Sequence, residues 1–125
     1  LVYGAQRMIV TQNVDVVITI GCVIKGETMH FEFVCEGVTQ GIKDLNVQTD
    51  IPVIFCVLTD NTMQQSIDRS GGIHGNKGTE SAIAAIKMAF IRQQASLSHQ
   101  IDNQHLLGSK PSINSLNLYF VVNHK

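Results

Sequence analysis

Two short runs of β-branched and aliphatic residues set the frame for this chain, Val14–Gly21 (VDVVITIG) and Pro52–Thr59 (PVIFCVLT). Neither alternates between apolar and polar positions. A strand with one wet face does alternate, because successive side chains point to opposite faces; near-continuous apolar runs belong to strands covered on both sides, as in a parallel sheet between helices.

The intervening segments supply that cover. Leu1, Val2, Ala5, Met8 and Ile9 recur at helical spacing, so the spacing predicts a helix over Leu1–Thr11. Phe31, Val34, Cys35, Val38, Ile42 and Leu45 form a second stripe, with Thr28 as its N-cap and Glu27 beside it. Asn61 and Gln64 have capping-box spacing for a third helix, which runs to Arg69 and stops at Gly71-Gly72. A fourth starts near Asn76 and carries Ile83, Ile86, Ala89 and Phe90 on one face. The order α-β-α-β-α-α gives an α/β layered fold with helix crossovers between parallel strands. From Ala95 onward the chain turns to Ser, Asn, Gln and His without a sustained period. Residues 95–125 therefore read as a poorly ordered tail outside the domain at 1–94, although Leu118–Val122 has strand character.

Charged residues are only 15% of the chain and the net charge is −1, so no basic surface points to nucleic acid or to a membrane. The apolar runs are too short for a transmembrane helix, and the N-terminus lacks the features of a signal peptide. Leu1 falls inside an amphipathic pattern and reads as an internal starting point. Three cysteines without paired spacing, Cys22, Cys35 and Cys56, argue against a disulfide framework and for the reducing cytoplasm. Metal binding is not supported: His30 and His74 stand on separate segments, and no HxxxH or CxxC spacing occurs.

Ligands in open parallel sheets bind at the carboxyl ends of the strands. The first such end opens into Gly21–His30 (GCVIKGETMH), where a helix start offers free N–H groups and the Thr28 hydroxyl to an anion. His30 lies in the first helical turn, and histidine exchanges protons near neutrality. A glycine-punctuated turn with an ordinary histidine is the competing reading. The second feature is Arg69–Gly78 (RSGGIHGNKG): an arginine fork suited to phosphate, then a glycine-rich turn into another helix start. It does not fit the GxxxxGK[ST] phosphate loop, and a helix cap followed by a solvated loop is its bland alternative. His74 reads as a loop residue.

Four segments together, GCVIKGETMHFEF, PVIFCVLT, QSIDRSGG and GNKGTESAIAAIKMA, resemble the 6,7-dimethyl-8-ribityllumazine synthase family of riboflavin biosynthesis over about Leu1–Ile91. The resemblance implies a three-layer α/β/α fold with a parallel flavodoxin-like sheet. It also implies a transferase that condenses 5-amino-6-(D-ribitylamino)uracil with 3,4-dihydroxy-2-butanone 4-phosphate. In that family's pattern Cys22, Val23 and Ile24 line the pyrimidine pocket through the backbone, and Glu27 and Thr28 hold the phosphate. His30 transfers protons, Phe55 packs on the heterocycle in a site shared between subunits, and Arg69 binds phosphate with Lys77 nearby. No cofactor or metal is implied. The implied partners are the two substrates, further copies of the chain in a homopentamer or sixty-subunit icosahedral shell, and riboflavin synthase.

This chain departs from the family pattern in two ways. Glu27 stands where the family often has a small residue, so its N–H rather than its carboxylate is the expected phosphate contact. The family's N-terminal strands and a Gly-Ser-Phe-Glu type motif precede the segment present here, which predicts an open edge on the first strand. A non-catalytic shell-forming or ligand-binding relative, an inactive fragment, and an unrelated flavodoxin-like regulatory domain remain the alternative readings.

Overall fold

A computed structural model describes residues 1–103 and 116–122. The elements in chain order are α1 (Val2–Thr11), β1 (Val16–Ile24), α2 (His30–Gln48), β2 (Val53–Asp60), α3 (Met63–Arg69), β3 (Ser70–Gly72), β4 (Gly75–Asn76), α4 (Lys77–Asn103) and β5 (Leu118–Val122). The main sheet is parallel, in the order β2-β1-β5.

The sheet lies between two helical layers, as the double-sided apolar runs require. On one face Val17 and Val53 pack with Ala5 of α1 and with Ile42 and Leu45 of α2. On the other, Val16, Ile18 and Cys56 pack with Ala85 and Ala89 of α4. The buried hydroxyl of Thr19 donates to the Ile54 carbonyl at 2.9 Å, so the centre of the sheet carries this polar group satisfied.

Several expectations shift. β1 runs three residues further than predicted, through Cys22, Val23 and Ile24, because Val23 pairs with Thr59 and Ile24 with Asp60. α2 starts at His30 with Met29 as its N-cap residue; Thr28 Oγ1 accepts only the His30 N–H, at 3.4 Å. The capping box of α3 is Thr62 with Gln65, one residue on from the predicted pair. Gln65 Oε1 also accepts the Asn61 N–H at 2.8 Å.

The face of α4 is the largest correction. Small residues face the sheet: Ser81, Ala85 and Ala89 are at most 3% exposed. Ile83, Ile86 and Phe90 are each about half exposed. Helix and sheet approach closely only over small side chains, and that choice turns the bulky row outward.

α4 continues past the expected boundary at residue 94 to Asn103, and Leu118–Val122 forms β5. The open β1 edge predicted from the sequence is thereby covered over Val16–Ile20, which pairs with Leu118–Val122. Tyr119 and Val121 join the α1/α2 side of the core, and Leu118 the α4 side. The register is anchored by Asp15, whose N–H donates to the Asn117 carbonyl and whose carboxylate accepts the Asn117 N–H at 3.0 Å. The rest of the expected tail, residues 104–115 and 123–125, lies outside the described residues.

Candidate functional site

The carboxyl ends of β1 and β2 meet at Asp60. Its carbonyl accepts the Lys25 N–H at 2.8 Å, and the Val17 N–H donates to the Pro52 carbonyl eight residues earlier in the same ladder. In a parallel pair alternate residues bond to the same neighbour. The odd-numbered residues of β1 therefore face β2, and the even-numbered ones face the other edge. Among the described residues β5 pairs with that edge as far as Ile20, opposite Val122. Beyond it the N–H and C=O groups of Cys22 and Ile24 have no strand partner among the described residues.

Around this edge stand three further pieces. The first is the start of α2, where Glu27, Thr28 and His30 are all exposed. Lys25 ties this turn down through an ion pair to Glu32 at 3.1 Å and by lying 5.9 Å from the centre of the Phe31 ring. Hydrogen bonds from the backbone and from Lys25 hold the Glu32 carboxyl below its usual range.

The second piece is the hairpin β3–β4 at the end of α3. Gly75 has φ +82°, which side chains rarely adopt. A Cβ on Gly72 would lie 2.7 Å from the Asp68 backbone. The hairpin thus folds back on Arg69, whose Nη1 donates to the His74 carbonyl at 2.6 Å. His74 contributes that main-chain oxygen, and its own N–H donates to the Asp68 carbonyl.

The third piece is the start of α4. Asn76 caps it, accepting the Thr79 N–H at 3.0 Å. Glu80 takes the Arg69 fork in two parallel bonds of 2.8 and 2.9 Å. Those bonds raise the arginine pKa and hold the Glu80 carboxyl below its usual range, with Lys77 adding to the latter. Asp60 also contributes to the field on Arg69, so β2, α3 and α4 converge at one corner.

The predicted residues fall in four places. Arg69 and Lys77 are brought together with Glu80, and Cys22, Val23 and Ile24 lie along the β1 end. Glu27, Thr28 and His30 share the α2 start; among the described residues no hydrogen bond joins His30 to Arg69. Phe55 stands apart, five residues down β2 from Asp60 and packed against the α1/α2 core. Sequence reasoning missed Glu80, which reads as an ordinary first-turn acid of a helix, and Ser66, a lone serine in an amphipathic segment. Among the described residues no three His, Cys, Asp or Glu side chains gather to hold a metal, and no helix is long and apolar enough to cross a membrane.

A second concavity lies at the opposite end of the sheet, an open cleft of about 250 Å³ lined by Asn46, Pro52, Met88 and Arg92 among others. Arg92 is already engaged there by Asp15 and Asp50.

A parallel α/β sheet between two helical layers, with charged and polar side chains gathered at its strand ends, defines the class of this protein as a layered α/β fold. The comparisons narrow that class. The sequence profile of 6,7-dimethyl-8-ribityllumazine synthase matches residues 1–93, and the chain belongs to that family. It is 82% identical over 109 residues to the 6,7-dimethyl-8-ribityllumazine synthase of Flavobacterium johnsoniae, covering 87% of this chain and 57% of that one. With the protein of the same name from Flavobacterium psychrophilum it shares 81% over 103 residues, covering 82% and 54%. For that of Christiangramia forsetii the values are 67% over 96 residues, 76% and 57%. The chain thus spans about half the length of these curated relatives.

Proposed function

We propose that this chain supplies the pyrimidine- and phosphate-binding end of a lumazine synthase site. Within its assembled protein it condenses 5-amino-6-(D-ribitylamino)uracil with 3,4-dihydroxy-2-butanone 4-phosphate. The observation that carries the reading is that the carboxyl ends of β1 and β2 meet at Asp60, which also acts on Arg69, while the main-chain groups of Cys22 and Ile24 have no strand partner among the described residues. A uracil ring presents alternating carbonyl and N–H groups, which an unpaired strand edge complements, with Val23 beside them. Arg69, whose Nη1/Nη2 fork is held by Glu80, presents its Nε–H and the second Nη2 proton as a side-on pair for phosphate, and Lys77 adds charge near it. The Glu27 and Thr28 main chain and the Thr28 hydroxyl lie at a helix start that favours anions.

In this reading the uracil's amine attacks the ketone carbonyl and loses water to give an imine. Elimination then expels the phosphate, and the second amine closes the ring with loss of water. Every step moves a proton, the role assigned to His30. No cofactor or metal enters the sequence.

The half-exposed row Ile83, Ile86 and Phe90 supports assembly with further copies, as a pentamer or an icosahedral shell. Phe55, partly exposed on β2, is then offered to a neighbour's site. Riboflavin synthase, which consumes the product, is the proposed enzyme partner, and the cytoplasm the proposed location. Lumazine formation by this chain from the two substrates, followed by absorbance, tests the activity. Phosphate binding without product would favour the non-catalytic relative.

A further inference from the structure

One chain of side-chain contacts at the site corner has no part in the reading above. Ser66, on α3, is 5% exposed, and its hydroxyl donates to Asp60 Oδ2 at 2.6 Å. The same Ser66 Oγ lies 3.2 Å from the sulfur of Cys22. A serine hydroxyl has one proton, and here it is given to the carboxylate. The Cys22 S–H is therefore the donor to Ser66, and the polarity runs from thiol to hydroxyl to carboxylate. Asp60 also holds β1 by its main chain, through the Lys25 N–H. Cys22 is thus held through the β2 bonds of its neighbours Gly21 and Val23 and by a side-chain tether to α3.

We infer that Ser66, backed by Asp60, is a positioning residue that fixes the Cys22 side chain at the carboxyl end of β1, beside the main-chain groups assigned to the pyrimidine. The inference rests on the proposed pyrimidine site for its functional meaning, but not for its geometry. Cys22 is exposed, and an untethered thiol there would sample all three staggered rotamers. The hydrogen bond to Ser66 selects one of them and directs the sulfur toward α3. The hydroxyl at position 66 is the informative atom, because an alanine would fit the same amphipathic position.

The test is alkylation of the 125-residue chain by iodoacetamide, read residue by residue by mass spectrometry. Ser66→Ala should speed modification of Cys22 about three- to tenfold, the population change that loss of one ordinary hydrogen bond allows. Ser66→Thr, which keeps the hydroxyl, should return the rate to within about twofold of the parent. Buried Cys56 reports folding and should stay unmodified throughout. A Cys22 rate unchanged by Ser66→Ala, or a threonine variant that behaves like the alanine one, would overturn the inference.

S66C gives a second measurement that does not depend on the alanine variant folding. With oxidised glutathione as oxidant, the introduced thiol and Cys22 should join in a disulfide, each losing its proton as two glutathione thiols form. No disulfide under those conditions would also overturn it. Adding the ribitylaminouracil to the parent chain is the separate arm for the functional reading. If it fails to protect Cys22 while Ser66→Ala still accelerates alkylation, the tether stands and the pyrimidine assignment falls.

Discussion

Arg69 and Glu80 face each other fork to fork, Nη1 to Oε1 at 2.8 Å and Nη2 to Oε2 at 2.9 Å, while the same Nη1 also reaches the His74 carbonyl. The arginine is thereby held in one plane between the hairpin and the start of α4. Its hydrogen bonds keep Glu80 ionised below the usual carboxylate range. A carboxyl whose folded pKa is depressed contributes its stability above the unfolded value and loses it as pH falls through the folded one. The pair should therefore stay closed while ordinary carboxylates protonate and open only in more acid solution. Side-chain nitrogen resonances of Arg69, followed down the acid range, check this. In Glu80→Gln the acid transition of Arg69 should vanish.

Arg69 itself should matter far more for the phosphorylated substrate than for the pyrimidine. Arg69→Ala is expected to weaken the phosphate compound by about ten- to a hundredfold, the loss of a charge-assisted hydrogen-bond pair. Arg69→Lys should recover only part, because an ammonium lacks the fork. Calorimetric titration with each substrate separates the two; equal weakening of both would remove the phosphate role.

His30 is exposed in the first turn of α2, with its N–H donating to Thr28 Oγ1. If it carries the protons, His30→Gln should lower the rate at saturating substrate by about 10²–10⁴-fold with little change in phosphate affinity. Steady-state kinetics that split kcat from KM decide this, and a loss well under tenfold would move the proton transfer elsewhere.

β5 should be needed for a stable fold. Removing residues from Leu116 onward strips the partner from Val16, Ile18 and Ile20, whose main-chain groups then face water along an apolar edge. The thermal midpoint should fall by about 5 °C or more and aggregation should rise, both measurable by scanning calorimetry and light scattering. An unchanged midpoint would make the strand dispensable.

β1, β2 and the four helices are legible because apolar runs and helical stripes report burial directly. Glycine punctuates the Gly-Cys-Val-Ile stretch and locally signals a loop; pairing with Val57–Asp60 overrides that signal. The stripe predicted on α4 holds for Ala89 but not for Ile83, Ile86 and Phe90, for a physical reason. Hydrophobicity ranks Ile83, Ile86 and Phe90 above Ala85 and Ala89, whereas close helix–sheet approach admits only the small residues. Leu118–Val122 has strand composition, but its partner lies about a hundred residues away, a distance no local pattern spans. At the site, Arg69 stood out by its chemistry. Glu80 and Ser66 did not, since their roles exist only once α3, the hairpin and α4 converge.

One sheet end of this chain should bind both substrates. A residue-resolved NMR titration of the 125-residue chain tests it most directly. Dihydroxybutanone phosphate should shift resonances of Thr28, His30, Arg69 and Lys77, and ribitylaminouracil should shift the Cys22 and Ile24 amides. Shifts confined to the opposite cleft around Asn46 and Arg92, or a phosphate response that survives Arg69→Ala unchanged, would contradict it.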